Sequence, residues 1–583
     1  MCGISGFNWK DKQKISEMVG ILSYRGPDAE GLFIDEKVSL GHNRLSIIDL
    51  SANANQPMSD NAGELIIMFN GEIYNFKELK RELENGYDFK TNSDTEVILA
   101  GYKKWGRGVV KKLNGMFAFA IWNKKENILF CARDHMGMKP FYYFWDGERL
   151  VFASEVPSIL VHDIPRKLNI GALNHYFRIL YTPEPMTLIE NIYKLPPAHT
   201  LTLQNGKLSI EPYGEEIKQN KLSYNEATLI LKEKILNSVE RHLISDVPIG
   251  LYLSGGIDSS IMLASMSKFK NNIETFSIGF SLNNNPEENK FNQDLLLARK
   301  TASHFGSNHN EVIISSKDVV NTFEEVATHN SDPISNPTSI AMFLLARFAK
   351  KKVTVALTGN AGDELFGGYD RYKTILLARF FMTPPDLFAK FMFQKDALLA
   401  RVVDQNFLQS ELKIKKYYEK YLIGRDAADS LTNADRQSWL PEHFFMLSDK
   451  MSMASALEER IPLADKEIVE FARSLPRKYK VDMRNTKKIL KDAFKDELPQ
   501  YLFDQPKRGW FSPAAKWFRE PEFADLARRI LSEGYYSNTN KLFNWPEIQE
   551  MLEKHIDKRE YNLTILWAII TFQIWAKKFK IEL

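Results

Sequence analysis

Cysteine is almost missing from this chain, with two thiols, Cys2 and Cys131, in 583 residues. That excludes a disulfide framework and argues against a cysteine-bound metal cluster. Such sparse use suits the reducing cytoplasm, the expected location. Long apolar runs are missing too. The longest, 563–576, contains Thr571 and Gln573 and falls short of the roughly 20 residues that a bilayer requires, so a buried C-terminal helix is expected there. The opening MCGISGFNWKDKQK lacks the basic-then-apolar pattern of a secretion signal. No sign of charge dominates: 77 Lys and Arg stand against 74 Asp and Glu, a net +3. That leaves no footprint for nucleic acid or an anionic membrane. There is no internal repeat, and the one biased tract is an Asn-rich loop near 283–289.

The chain is too long for one domain, and 44% hydrophobic residues can fill sizeable cores. The first 155 or so residues read as short strands, such as 64–70 (ELIIMFN), 115–122 (GMFAFAIW) and 127–132 (NILFCA). Helices are expected near 15–22 and 95–104, an α+β pattern. Pro183, Pro185, Pro196 and Pro197 and the polar stretch 214–224 follow, and the domain boundary is placed there, giving 1–210 and 211–583. Beyond it, apolar runs at 249–253, 274–280 and 353–358 alternate with helical stretches, the mark of a parallel sheet. Past about residue 375 the chain reads as mainly helical.

Cys2 directly follows Met1. Removal of Met1 would leave a thiol and a free α-amine on one residue, and the amine can serve the thiol as base. Alone, a cysteine at position two is mostly just a cysteine. Cys131, in an apolar run, reads as a core residue. In the second half, a strand at 249–253 runs into Ser254-Gly255-Gly256-Ile257-Asp258-Ser259-Ser260 and then a helix. Small residues and a helix N-terminus make a phosphate site, although the Walker A spacing is absent. Asp258 would repel phosphate unless a cation such as Mg²⁺ intervenes.

The ordered set Cys2, Arg25-Gly26-Pro27-Asp28, Arg44–Asp49 (RLSIID), Asn70-Gly71-Glu72, Ser93-Asp94-Thr95-Glu96 and Arg133–Pro140 resembles the glutaminase domain of the class II amidotransferases of the asparagine synthetase family. Two further stretches extend the resemblance: the 254–260 loop is similar to that of ATP pyrophosphatases, and 359–369 (GNAGDELFGGY) is similar to the family's second signature. The resemblance implies an Ntn-hydrolase-like α+β sandwich, followed by an α/β parallel-sheet ATP pyrophosphatase (PP-loop) domain with a helical C-terminal part. Cys2 is implied as nucleophile, with Asn70 and Gly71 as the oxyanion hole. Arg44, Leu45, Ser46, Ile47 and Ile48 would hold the glutamine carboxylate, Asp94 its ammonium group, and Glu72 belongs to the same turn. Asn-Gly by itself is equally the signal of a hairpin turn.

Leu253, Ser254, Gly255, Gly256, Asp258, Ser259, Ile278, Thr358 and Gly359 would contact ATP or its pyrophosphate, with Mg²⁺ on Asp258 and Asp363. Lys487 is implied as the lysine that neutralises phosphate charge, with the adjacent Lys488 as the alternative and a solvated helix face as the plain reading. The stretch from Asp449 to Asp465 resembles the family's helical region, and 507–511 (KRGWF) another segment. Implied substrates are glutamine, ATP and aspartate, or another carboxylate such as a sugar uronic acid, and a homodimer is compatible. One position departs: Asn360 stands where many members carry an acid, and an amide cannot act as base.

Overall fold

The computed structural model describes residues 1–282, 286–378, 381–505 and 512–583. The 507–511 match and part of the Asn-rich loop lie outside these residues.

The first half is built from two six-stranded antiparallel sheets. One runs in the order Ile192–Lys194, Tyr142–Trp145, Leu150–Ala153, Gly3–Phe7, Ser39–Arg44, Ala29–Ile34. The other runs Lys207–Pro212, His199–Gln204, Ile128–Arg133, Gly115–Asn123, Leu65–Ile73, Met58–Ser59. The strand period of two sorts the side chains. Ile66 and Met68 point between the sheets, onto Ile4, Leu40 and Phe152. Ile67 and Phe69 point outward, onto helices Phe76–Leu83 and Asp94–Trp105. Helix Lys12–Leu22 covers the other outer face through Ile15 and Met18. The result is the helix–sheet–sheet–helix sandwich of the Ntn type. Cys131 is fully buried between the sheets. Two further helices of eight residues or more, Phe76–Leu83 and Ile170–Ile179, join the two that the sequence indicated. The first buries Phe76, Leu79 and Leu83, a helical spacing set among Lys and Glu.

The second half centres on five parallel strands in the order Asn308–Ile314, Glu274–Phe280, Ile249–Tyr252, Val355–Leu357, Glu458–Arg460. The order reverses between Ile249–Tyr252 and Val355–Leu357. Open sheets of this kind form their ligand crevice at such a reversal, beyond the strand C-termini. Helix Leu563–Phe579 is buried, and no described helix is long and apolar enough to cross a membrane. The stretch from Asp449 to Asp465, expected to be helical, is so only in part. Helix Met446–Met453 ends, and Glu458–Arg460 adds the fifth strand. Its pairing to Val355–Leu357 and its buried ion pairs override the weak strand propensity of a charged tripeptide.

Candidate active site

Cys2 enters the central strand of the first sheet, and its backbone N–H donates to Asn70 Oδ1 at 3.0 Å. Arg25 Nε donates to the Cys2 carbonyl at 3.1 Å. Asn70 and Gly71 are not a hairpin turn. They sit inside strand Leu65–Ile73, opposite Ala118 and Phe117. A Cβ on Gly71 would lie 2.0 Å from the Met116 carbonyl oxygen, so only glycine fits. Asn70 Nδ2 is buried with no hydrogen-bond partner. It is a donor held in reserve one hydrogen bond from the Cys2 backbone.

Burial pushes the Cys2 thiol up, while the nearby terminal amine pulls it down. With Met1 in place that amine belongs to Met1, whose side chain is buried. The amine lies 3.4 Å from Glu458, and burial lowers its pKa. Glu72 pairs with Arg460 at 3.2 Å. Asp94 Oδ2 accepts from the Ile73 N–H at 2.9 Å, and burial pushes its carboxyl up to about 6.

Arg44 is engaged with its own loop. Its terminal nitrogens donate to the carbonyls of Ile48, Asp49 and Ser51 and to Asn55 Oδ1. Leu45 offers its carbonyl to the Cys2 thiol at 4.0 Å, Ser46 N–H donates to Asp28, and the Ile47 carbonyl accepts from Asp246 N–H. Arg44 therefore braces the 45–51 loop, and backbone is what the loop turns towards Cys2.

The second site is a cavity of about 1120 Å³ at the sheet reversal. Leu253, Ser254, Gly256, Asp258, Ser259, Ile278, Thr358, Gly359 and Asp363 line it. Gly255, the other loop residue, packs against Leu297, which a Cβ there would approach to 2.8 Å. Helix Ile257–Met266 starts here with no side-chain cap on its first N–H groups, leaving them for an anion. A Cβ on Gly359 would lie 2.5 Å from Ser259 N, and one on Gly362 2.7 Å from Asp258. These two glycines let the two strand-end loops touch.

Lys487, 4% exposed, sets its amine between Asp258 and Asp363, 2.6 Å from the latter. Burial would lower its pKa, but the two carboxylates raise it. Lys488 turns to Asp482 at 3.6 Å instead. Asp258 Oδ1 is buried without a hydrogen-bond partner. Two carboxylates on one amine, one oxygen of them unsatisfied, fit a hard divalent cation such as Mg²⁺. No cluster of three or more ligating side chains occurs among the described residues, so phosphate oxygens and water would complete its shell.

Strand Glu458–Arg460 joins the sites. Glu458 and Arg460 reach the terminal amine and Glu72, while Glu459, between them, lines the cavity. No sequence spacing signals this, because the partners are hundreds of positions apart.

A family model for asparagine synthase matches residues 231–577, and one for a glutamine amidotransferase domain matches residues 1–214. The chain is 32% identical over 620 residues to asparagine synthetase [glutamine-hydrolyzing] 1 of Bacillus subtilis (strain 168), covering 99% of this chain and 96% of that protein. It is 32% identical over 542 residues to asparagine synthetase [glutamine-hydrolyzing] 3 of the same organism, covering 87% and 86%. It is 25% identical over 679 residues to amidase chry2 of Gibberella zeae, covering 100% and 99%.

Proposed function

This chain belongs to the asparagine synthase family, and from that premise we propose that it uses glutamine and ATP to convert aspartate to asparagine, releasing glutamate, AMP and pyrophosphate. Residues 1–210 would act as the glutaminase and 211–583 as the synthetase, in the cytoplasm, where a free thiol nucleophile stays reduced.

Removal of Met1 would hand the terminal amine to Cys2. The thiol then attacks the glutamine amide carbon, with its proton passing to the amine. Asn70 Nδ2 and the Gly71 N–H stabilise the oxyanion. Asp94 holds the substrate ammonium, and the loop braced by Arg44, from Leu45 to Ile48, holds the carboxylate beside Glu72. The amine returns the proton to the leaving nitrogen, the carbon–nitrogen bond breaks to release ammonia and leave a thioester, and water then releases glutamate from it.

In the cavity, Ser254, Gly256, Ser259 and the helix N-terminus bind the ATP phosphates, and Leu253, Ile278, Thr358 and Gly359 hold the nucleotide. Lys487 neutralises phosphate charge. Asp258 and Asp363 would hold Mg²⁺, which when bound shields the pyrophosphate. The aspartate side-chain carboxylate attacks the α-phosphorus and expels pyrophosphate, and ammonia displaces AMP from the resulting acyl-adenylate. Ammonia must be kept from water, because the free base would be protonated there.

The observation that carries this reading is the strand Glu458–Arg460, which forms part of both sites. Asn360 in the cavity wall supports a second reading, the same chemistry on another carboxylate. The test is pyrophosphate, amide and glutamate formation with ATP, Mg²⁺, aspartate and either glutamine or ammonium, then with a panel including uronic acids. Asparagine equimolar with pyrophosphate is expected. Product only with another acid would replace aspartate, and no glutamate from glutamine would sink the amidotransferase reading itself.

A further inference from the structure

Glu364 and Glu459 both line the cavity and, among the described residues, form no ion pair. Asp258 and Asp363 share Lys487, Glu287 meets Lys516, and Asp370 meets Lys373. Glu364 accepts from the Tyr369 hydroxyl. Glu459 also lines the cavity and is 5% exposed. Among the described residues it accepts a hydrogen bond from the Ser448 hydroxyl and forms no ion pair. The charged groups acting on it are Lys139 and Asp449, which pair with each other at 3.3 Å.

Its position follows from the strand period. Glu459 lies opposite Ala356, and directly opposed residues share a sheet face. Two residues beyond Ala356, Thr358 begins the loop that carries Asn360. Glu458 and Arg460, on the other face, meet the Cys2 side. A carboxylate thus stands on the cavity side of the partition between the two sites. Nearby, Tyr252 lines the same cavity with a buried hydroxyl that has no hydrogen-bond partner. Burial, then the Glu459 charge, push its phenol up, so it remains a donor. Asn360 carries an amide and takes no proton.

We propose that Glu459 is the base of the amide-forming step. The inference rests on the functional reading above. The nitrogen lone pair of ammonia forms a bond to the acyl carbon, and one N–H proton passes to the Glu459 carboxylate. The carbon–oxygen bond to AMP then breaks, its electrons leave with AMP, and Glu459 returns its proton to water. Tyr252 is placed to donate to the acyl oxygen as charge builds there. Burial pushes the Glu459 carboxyl up to about 7, near working pH, where a general base serves best.

The test compares wild type and Glu459→Gln with ATP, Mg²⁺ and aspartate. Glutamine should reproduce the folded shape, keeping the Ser448 contact. Exchange of labelled pyrophosphate into ATP, which reads adenylation alone, should stay within a few-fold. Asparagine formation with added ammonium should fall at least about 100-fold, the lower end of general-base contributions. Asn360→Asp in the Glu459→Gln background should restore part of it by returning a carboxylate to the same cavity. Wild-type rates of asparagine formation in Glu459→Gln, or loss of exchange in step with amide formation, would overturn the assignment. A wild type silent in exchange with aspartate would overturn the functional reading, and this inference with it.

Discussion

Arg25 and Asp449, 424 positions apart, form a 2.8 Å ion pair with both side chains shielded from solvent. Arg25 also pairs with Glu155, which in turn meets Lys450, and Lys139 lies 3.3 Å from Asp449. Burial alone would raise the Asp449 carboxyl. Arg25 and Lys139 reverse that and hold it below the usual range. The same Arg25 donates to the Cys2 carbonyl, so one network both clamps the halves together and positions the nucleophile.

Asp449→Asn should therefore cost about 3–5 kcal/mol, because it leaves buried cations without their counter-charge. Calorimetry should show a lowered melting temperature, and glutamine-dependent activity should fall more than ammonia-dependent activity. A variant as stable as wild type would mean the network is not what joins the halves.

Cys2→Ala should abolish glutamate release and glutamine-dependent amide formation, yet keep activity with ammonium, because the cavity residues lie elsewhere. Intact mass of the active wild type should show Met1 removed. Glutamine hydrolysis by the variant would disprove the nucleophile assignment.

Asn70→Ala removes the partnerless Nδ2 donor and the acceptor of the Cys2 N–H. Loss of one oxyanion donor lowers kcat by about 10²–10³-fold, and that fall is expected in glutamate release, with ATP–pyrophosphate exchange spared. A loss confined to KM would place Asn70 in ground-state binding instead.

Asp94 titrates near 6 because it is buried, so it is an anion above that pH and neutral below. Pairing with the substrate ammonium requires the anion. Glutaminase kcat/KM should thus gain about one extra tenfold loss per pH unit below about 6, beyond the loss caused by protonation of the amine. The measurement is glutamate release across about pH 5–8. Asp94→Asn should be weak throughout and lack that extra slope.

Lys487→Gln should remove most ATP–pyrophosphate exchange, since it strips the charge between Asp258 and Asp363. Lys488→Gln should change it less than about threefold, a partly exposed pair with Asp482 away from the two carboxylates contributing little. Asp258→Asn should abolish exchange whatever the nitrogen source. Equal losses in the two lysine variants would break the distinction.

Much of this protein follows from local sequence. The strand at 249–252 runs as an apolar stretch into small residues and a helix, and that order of residue types makes an anion loop wherever it occurs. The unbroken apolar run from Leu65 to Phe69 marks a strand buried on both faces. Other features had no local cause. Asn70-Gly71 would turn in isolation, but the ladder to Gly115–Asn123 continues through it and holds it extended. Lys487 and Lys488 are equivalent in sequence; the position of Asp258 and Asp363 at the ends of two adjacent parallel strands decides which amine meets them. Glu458, Glu459 and Arg460 form a strand because an open sheet edge and buried counter-charges receive them. Their division between two sites is a property of that edge, since a strand's period of two acquires sides only once something lies on each of them.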